Sequence, residues 1–173
     1  MIADLGPSCN AEETFNRLVS QYQEKLLRMC CMYLRDSAAA QDAVQETFLK
    51  AYRALPRFRG ECSEKTWLMR IGLNVCRDMA RSAWFRHTDR RVTPEDLPLA
   101  CESEDNADQE ELAQAIMALP RKCKDALMLY YYQNMTQDEV AQALHTTPST
   151  ISKRLKHARD LLKASLERGR QHA

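Results

Sequence analysis

At 173 residues, with 28% charged and 7% aromatic side chains and only four glycines, the chain has room for one domain or two small ones. Its formal net charge of +1 hides segregation, because residues 1–86 sum to +3, residues 87–111 to −7 and residues 112–173 to +5, and that pattern is more informative than the total. No apolar run approaches a membrane span, and the first residues lack the basic start and apolar core of a secretory leader, so a cytoplasmic protein with no membrane insertion of its own is expected.

Periodicity of about 3.6 residues recurs along the chain and no window alternates with period two for long, which predicts an all-α fold. Phe15, Leu18, Val19, Tyr22, Leu26, Met29 and Cys30 describe an amphipathic helix running to about Leu34. Arg35-Asp36-Ser37 breaks it. A second helix is expected from about Ala38 to Leu55, with Val44, Phe48, Ala51 and Leu55 inward. Its other face carries Asp42, Gln45, Glu46, Leu49, Lys50 and Arg53. That patch reads either as solvated surface or as a leucine bracketed by polar groups for docking on another helical protein.

After Pro56 comes a basic loop with a central aromatic, Arg57-Phe-Arg-Gly-Glu-Cys-Ser63, and Ser63 is placed to cap a third helix. Phe58 and Trp67 among Arg57, Arg59, Arg70 and Arg77 are ingredients for holding unstacked bases against phosphate-binding cations. Trp67 reads equally well as a core residue.

From His87 to Glu111 the sequence has Pro94, Pro98 and runs such as Glu102-Ser-Glu-Asp-Asn106, with few apolar residues. Such a segment buries too little surface to offset its ordering entropy. It is expected to be an acidic flexible linker at 87–108, joining a module at 10–86 to one at 109–170. A plain tether and an acidic strand lying in a partner's basic groove both fit its composition.

The C-terminal module has the layout of a helix-turn-helix. Thr136 with Glu139 three residues on forms a capping box. Val140 and Leu144 face inward, and Ala141 and Ala143 allow a close helix approach. Thr147-Pro148 is a second start signal, since proline's missing N–H costs nothing at the first helical position. In the next helix Ile151, Leu155, Ala158 and Leu162 form one buried stripe, opposite Ser149, Lys153, Lys156 and His157, with Arg154 and Arg159 flanking. Short polar residues at that helix's start suit base edges, and long cations suit backbone oxygens. A merely solvated basic helix is the alternative.

Seven cysteines are an odd number, form no Cys-x-x-Cys pair, and none stands at a zinc-ligand spacing from a histidine. Reduced thiols, several in the core, are expected; a redox-sensing role is the less favoured reading. No glycine-rich phosphate loop, His/Glu metal cluster or activated nucleophile is present, so neither enzyme activity, nor a metal, nor a cofactor is expected.

Taken together, these segments resemble a bacterial RNA polymerase sigma factor of the extracytoplasmic function group. Asp42-Ala-Val-Gln-Glu-Thr-Phe-Leu-Lys-Ala-Tyr-Arg-Ala-Leu55 is similar to the family's region 2.2. Phe58-Arg-Gly-Glu61, Thr66-Trp-Leu-Met-Arg-Ile71 and Asn74 to Asp78 are similar to regions 2.3 and 2.4. Leu119-Pro120, Leu127 to Tyr132 and the helix-turn-helix are similar to region 4. The likeness spans roughly residues 11–168, with the motifs in order.

The resemblance implies two small helical domains and a role in directing core polymerase to promoters. Asp42, Gln45, Glu46, Leu49 and Arg53 would dock on the coiled coil of the polymerase's largest subunit. The loop Phe58, Arg59, Gly60, Glu61, Cys62, Ser63 and Lys65 would capture a base flipped from the −10 element, with Asn74 reading the neighbouring base, Trp67 wedging the upstream edge of the melted region, and Arg70 and Arg77 also on the −10 DNA. Leu68 stands where housekeeping sigma factors carry a second aromatic, which implies weaker melting and a stricter promoter. Thr147, Ser149, Thr150, Ser152, Lys153, Arg154, Lys156 and His157 would read the −35 element, partly through DNA shape. The linker would thread toward the RNA exit path, and an anti-sigma factor is an implied partner. His145 stands where the family usually has glycine, and Glu64-Lys65 where an aromatic or apolar residue is common. A free-standing helix-turn-helix regulator is the other class kept open; it predicts tight duplex binding without polymerase and leaves the Phe58–Asn74 constellation unexplained.

Overall fold

The computed structural model describes residues 7–85 and 106–171, and every regular element among them is helical. Helix α1 spans Pro7–Leu34. It stops where Arg35 takes a positive φ of 55°, and the chain restarts at once as α2, Ser37–Ala54. Asp36 caps that start, its Oδ1 accepting from Ala39 N at 2.9 Å, which satisfies an orphan donor of the first turn. A 3₁₀ turn, Leu55–Arg57, carries Pro56 and ends α2. Leu55, expected inward, is half-buried against the core rather than within it.

Helix α3, Glu64–Phe85, is capped as the sequence suggests, with Ser63 Oγ accepting from Thr66 N at 3.1 Å. It packs tightly on α1 at Gly72, where an added Cβ would lie 2.5 Å from Leu26 Cδ1. The three helices bury Leu18, Leu26, Met29, Leu68, Met69 and Leu73 almost completely. Each such side chain contributes about 1.5–3 kcal/mol from apolar burial.

The C-terminal unit comprises α4 (Asn106–Met117), α5 (Arg121–Leu127), α6 (Gln137–Ala143) and α7 (Pro148–Gln171). Helix α5 runs on as a π-helical turn, Met128–Tyr132. Residues 106–108, assigned to the linker from composition, already belong to α4; the expected linker residues 87–105 lie outside the described residues. Ile151, Leu155 and Ala158 are buried along α7 as the periodicity requires, and Leu162 is partly buried beyond them.

The two units touch. Sequence periodicity treats them as independent modules, whereas their buried side chains form one contiguous cluster. Helix α1 meets the π turn and α3 meets α6, which brings the loop after α2 against the helix-turn-helix.

Cys30, Cys31, Cys76 and Cys123 are buried free thiols and Cys62 is a half-buried one. The hydrogen bond of Cys76 Sγ to Cys30 Sγ at 3.4 Å, reinforced by burial, pushes the Cys30 thiol well above its ordinary range. Thiolate is the reactive form. Among these five, a thiol reagent mapped by mass spectrometry is therefore expected to label Cys62 first, with the other four protected until unfolding. Labelling of Cys30 or Cys76 at the rate of Cys62 would contradict this packing.

Candidate nucleic-acid interface

The helix-turn-helix is built by local chemistry. Thr136 Oγ1 accepts from Glu139 N at 3.2 Å while Thr136 N donates to Glu139 Oε2 at 2.8 Å, completing the capping box. The turn after α6 is a Schellman motif: Thr146 N donates to Ala141 O at 2.9 Å and His145 N to Gln142 O at 3.4 Å. His145 takes a φ of 50°, so histidine here does adopt the left-handed conformation that the turn requires. Thr147 then receives Thr150 N at 3.3 Å at the head of α7. Removing the first cap with Thr136→Ala is expected to cost about 1 kcal/mol and to lower Tm by about 2–4 °C; an unchanged calorimetric melt would contradict it.

Along α7, Ser149, Ser152, Lys153, Lys156 and His157 are exposed on one side, Thr147 is exposed at its start, and Thr150 and Arg154 are partly exposed. The structure thus brings the expected −35 residues together on an open, cationic helix face. Arg159 also reaches Tyr131, its Nη1 donating to the phenol oxygen at 3.5 Å.

On α2 the expected docking residues also share one face. Asp42, Gln45, Leu49 and Arg53 are exposed, and Glu46 is half-buried with Lys50 Nζ at 3.6 Å. Leu49 remains 44% exposed, and its neighbour Tyr52, which sequence reading passed over, is 53% exposed. The Tyr52 ring packs edge-on against Phe15 at 5.0 Å, extending the apolar surface toward α1. An aromatic three residues after the outward-facing Leu49, hence on the same side of the helix, was the available signal.

The loop before α3 is held open by Gly60 at a φ of 73°. Arg59, Gly60, Glu61 and Ser63 are exposed, Phe58 and Cys62 half-buried. Phe58 stacks on Trp67 with ring centroids 4.8 Å apart, and Trp67 is only 6% exposed. Trp67 is thus packed, and it also lines a cleft of about 900 Å³ together with Arg57, Phe58, Arg59, Arg70 and, from the other unit, Asp138, Gln142 and His145.

The remaining residues expected at the −10 element are engaged across that cleft or beside it. Lys65 Nζ donates to Asn134 O at 3.5 Å, and Arg70 Nη1 lies 3.4 Å from His145 Nε2. Arg77 donates from Nε and Nη2 to Asp125 Oδ2 at 3.1 and 2.7 Å, and from Nη1 to Asn74 Oδ1 at 2.9 Å. Asp125 is 1% exposed and also accepts from the Tyr33 hydroxyl at 3.1 Å. Burial, with the adjacent Asp125 carboxylate, pushes the Tyr33 phenol well above its ordinary range. Burial also pushes the Lys124 ammonium down; it sits 4.7 Å over the Tyr33 ring. Among the described residues no group of three or more His, Cys, Asp or Glu side chains is placed to hold a metal ion, and no helix is long and apolar enough to cross a membrane.

The comparisons agree with this layout. Residues 18–86 match the family described as Sigma-70 region 2, and residues 109–162 match Sigma-70, region 4. The chain is 31% identical to the RNA polymerase sigma-H factor of Pseudomonas aeruginosa, over 90% of this chain and 88% of that one. It is 27% identical to the ECF RNA polymerase sigma-E factor of Haemophilus influenzae, over 90% and 89% of the two chains. A solved complex of the sigma factor RpoE with the anti-sigma factor NepR, from Bartonella quintana, has the same fold, with a TM-score of 0.70 at 19% identity over 90% of this chain and 98% of that one.

Proposed function

Because this chain belongs to the sigma-70 family, in its extracytoplasmic function group, we propose that it joins core RNA polymerase and carries it to promoters through two DNA-reading units. The observation that carries this reading is the presence of three distinct surfaces on one chain: a mixed polar and apolar face on α2, a basic aromatic loop leading into α3, and a cationic helix-turn-helix face on α7.

The chemistry assigns each surface a task. On α2, Leu49 and Tyr52 supply apolar area and Asp42, Gln45, Glu46 and Arg53 a polar rim, the anatomy of a protein interface. The half-buried Phe58 and the cations around it suit a base taken out of the stack, whose extrusion costs a few kcal/mol that a fitted pocket must offset. On α7, Ser149, Ser152 and Thr150 are short enough to reach base edges, and Lys153, Lys156 and Arg154 reach phosphates. The chain supplies recognition and strand separation; bond making belongs to the polymerase, so the chain is not itself an enzyme. It works where the polymerase works, in the cytoplasm, with an anti-sigma factor as a further partner.

Retention of purified bacterial core polymerase on the immobilised chain tests the reading. Stoichiometric recruitment is expected. Absence of recruitment, together with tight binding of the chain alone to duplex DNA, would instead make it a free-standing regulator.

A further inference from the structure

The cleft of about 900 Å³ between the loop after α2 and helix α6 carries chemistry that promoter reading does not use. Its C-terminal wall presents Asp138 and Gln142, both exposed and both lining the cleft. Residues four apart on a helix share one face, so the carboxylate and the carboxamide serve the same space. The N-terminal wall presents Arg57 and Arg59, also exposed. Among the described residues neither arginine and not Asp138 takes part in an ion pair. Acid and cations thus stand on opposite walls without meeting. Phe58, stacked on Trp67 at 4.8 Å, adds an aromatic surface to the same cleft. The volume lies within the range of about 300–1,000 Å³ in which small ligands are held.

Three features define the ligand. Guanidinium groups take phosphate oxygens through paired N–H bonds. An aromatic ring stacks on the flat face of a base, whichever base it is. A carboxylate only accepts hydrogen bonds, so it selects a base edge built of adjacent donors. Guanine offers N1–H beside its N2 amino group, with O6 next to them for the Gln142 amide. Adenine sets an acceptor, N1, against the carboxylate, and neither pyrimidine has two neighbouring donor atoms.

We propose that the cleft is a binding site for a guanosine di- or triphosphate, its base on Phe58 with Asp138 and Gln142 at its edge and its phosphates on Arg57 and Arg59. The ligand draws on both units, which distinguishes it from a promoter base held by the loop alone. It shares Phe58 and Arg59 with the −10 surface, so nucleotide and promoter base exclude one another. That consequence rests on the −10 assignment made above; the site itself does not.

Calorimetric titration of the full-length chain with GTP, ATP, CTP and inorganic triphosphate tests this. GTP is expected to bind at least about tenfold more tightly than ATP or CTP, the discrimination that one bidentate edge contact supplies, and inorganic triphosphate more weakly than any of them. Asp138→Asn is expected to remove the preference for GTP and to leave ATP binding as in the parent. Arg57→Ala with Arg59→Ala is expected to weaken all three nucleotides by about tenfold or more, through loss of charge-assisted bonds to phosphate. The substituted side chains are exposed, and a thermal melt of each variant checks that it folds. Equal affinities for GTP, ATP and inorganic triphosphate, unchanged in Asp138→Asn, would mean polyanions on surface arginines and overturn the proposal, as would no binding of any nucleotide. Retention of a promoter fragment by the holoenzyme is measured alongside, and Asp138→Asn is expected to leave it unchanged. Failure of the nucleotide site therefore leaves promoter reading standing, whereas a parent holoenzyme that retains no promoter would remove that reading without touching the titration.

Discussion

Reversing two charges on α2, Asp42→Arg with Glu46→Arg, is expected to reduce binding to core polymerase by more than about a hundredfold while leaving the fold intact. Neither carboxylate touches the core: the buried side of α2 is Ala40, Ala43, Val44, Thr47, Phe48 and Ala51. Among the described residues the ion pair at risk is Glu46 with Lys50, at 3.6 Å and half exposed, and a helical pair of that spacing contributes only about 0.2–0.5 kcal/mol. At the interface the balance is different. Like charges brought together on docking cost several kcal/mol, and the new cations would flank Leu49, the apolar centre of the patch. Pull-down titration against core polymerase measures the loss, and a thermal melt checks that folding is unaffected. Undiminished recruitment would mean that polymerase engages another face.

Replacing Lys153 and Lys156 with alanine is the second large effect. Both side chains are exposed on α7, so the helix should lose little stability. If each lysine neutralises one phosphate, the slope of log affinity against log salt should shrink by about 0.9 per contact. For the pair that is about 1.8, with binding of the holoenzyme to a promoter fragment falling about tenfold at physiological salt. The loss should be nearly uniform across −35 sequences, because phosphate contacts position the protein and base contacts specify. An unchanged salt slope would show that these lysines face solvent in the complex.

How much of this was legible in the sequence depended on range. The capping box at Thr136 and Glu139, the start at Thr147-Pro148 and the buried stripe Ile151–Leu155–Ala158 are set by residues within a few positions of one another, and the structure has them as read. The fold class and the family followed from such local signals. The π turn at Met128–Tyr132 was not legible, because an apolar aromatic run has the same composition in either helix type. Tyr52 was missed since it lies just outside the mixed polar patch of α2.

The interface between the units was the largest omission. Asp125 sits in Arg121-Lys-Cys-Lys-Asp125 and looks like ordinary surface charge, yet its partners are Tyr33, 92 residues away, and Arg77, 48 residues away. No periodicity encodes a contact between two modules. Arg77 was assigned to promoter DNA from its neighbours, and in the structure it meets an acid of its own chain.

The central claim is that this chain gives polymerase its promoters, and transcript mapping tests it most directly. Fragmented bacterial genomic DNA is transcribed by core polymerase with and without the chain, and the RNA 5′ ends are sequenced. The account predicts new start sites appearing only with the chain, each preceded by the same two elements at a fixed spacing and lost with the α2 double reversal. An identical set of 5′ ends with and without the chain would contradict it.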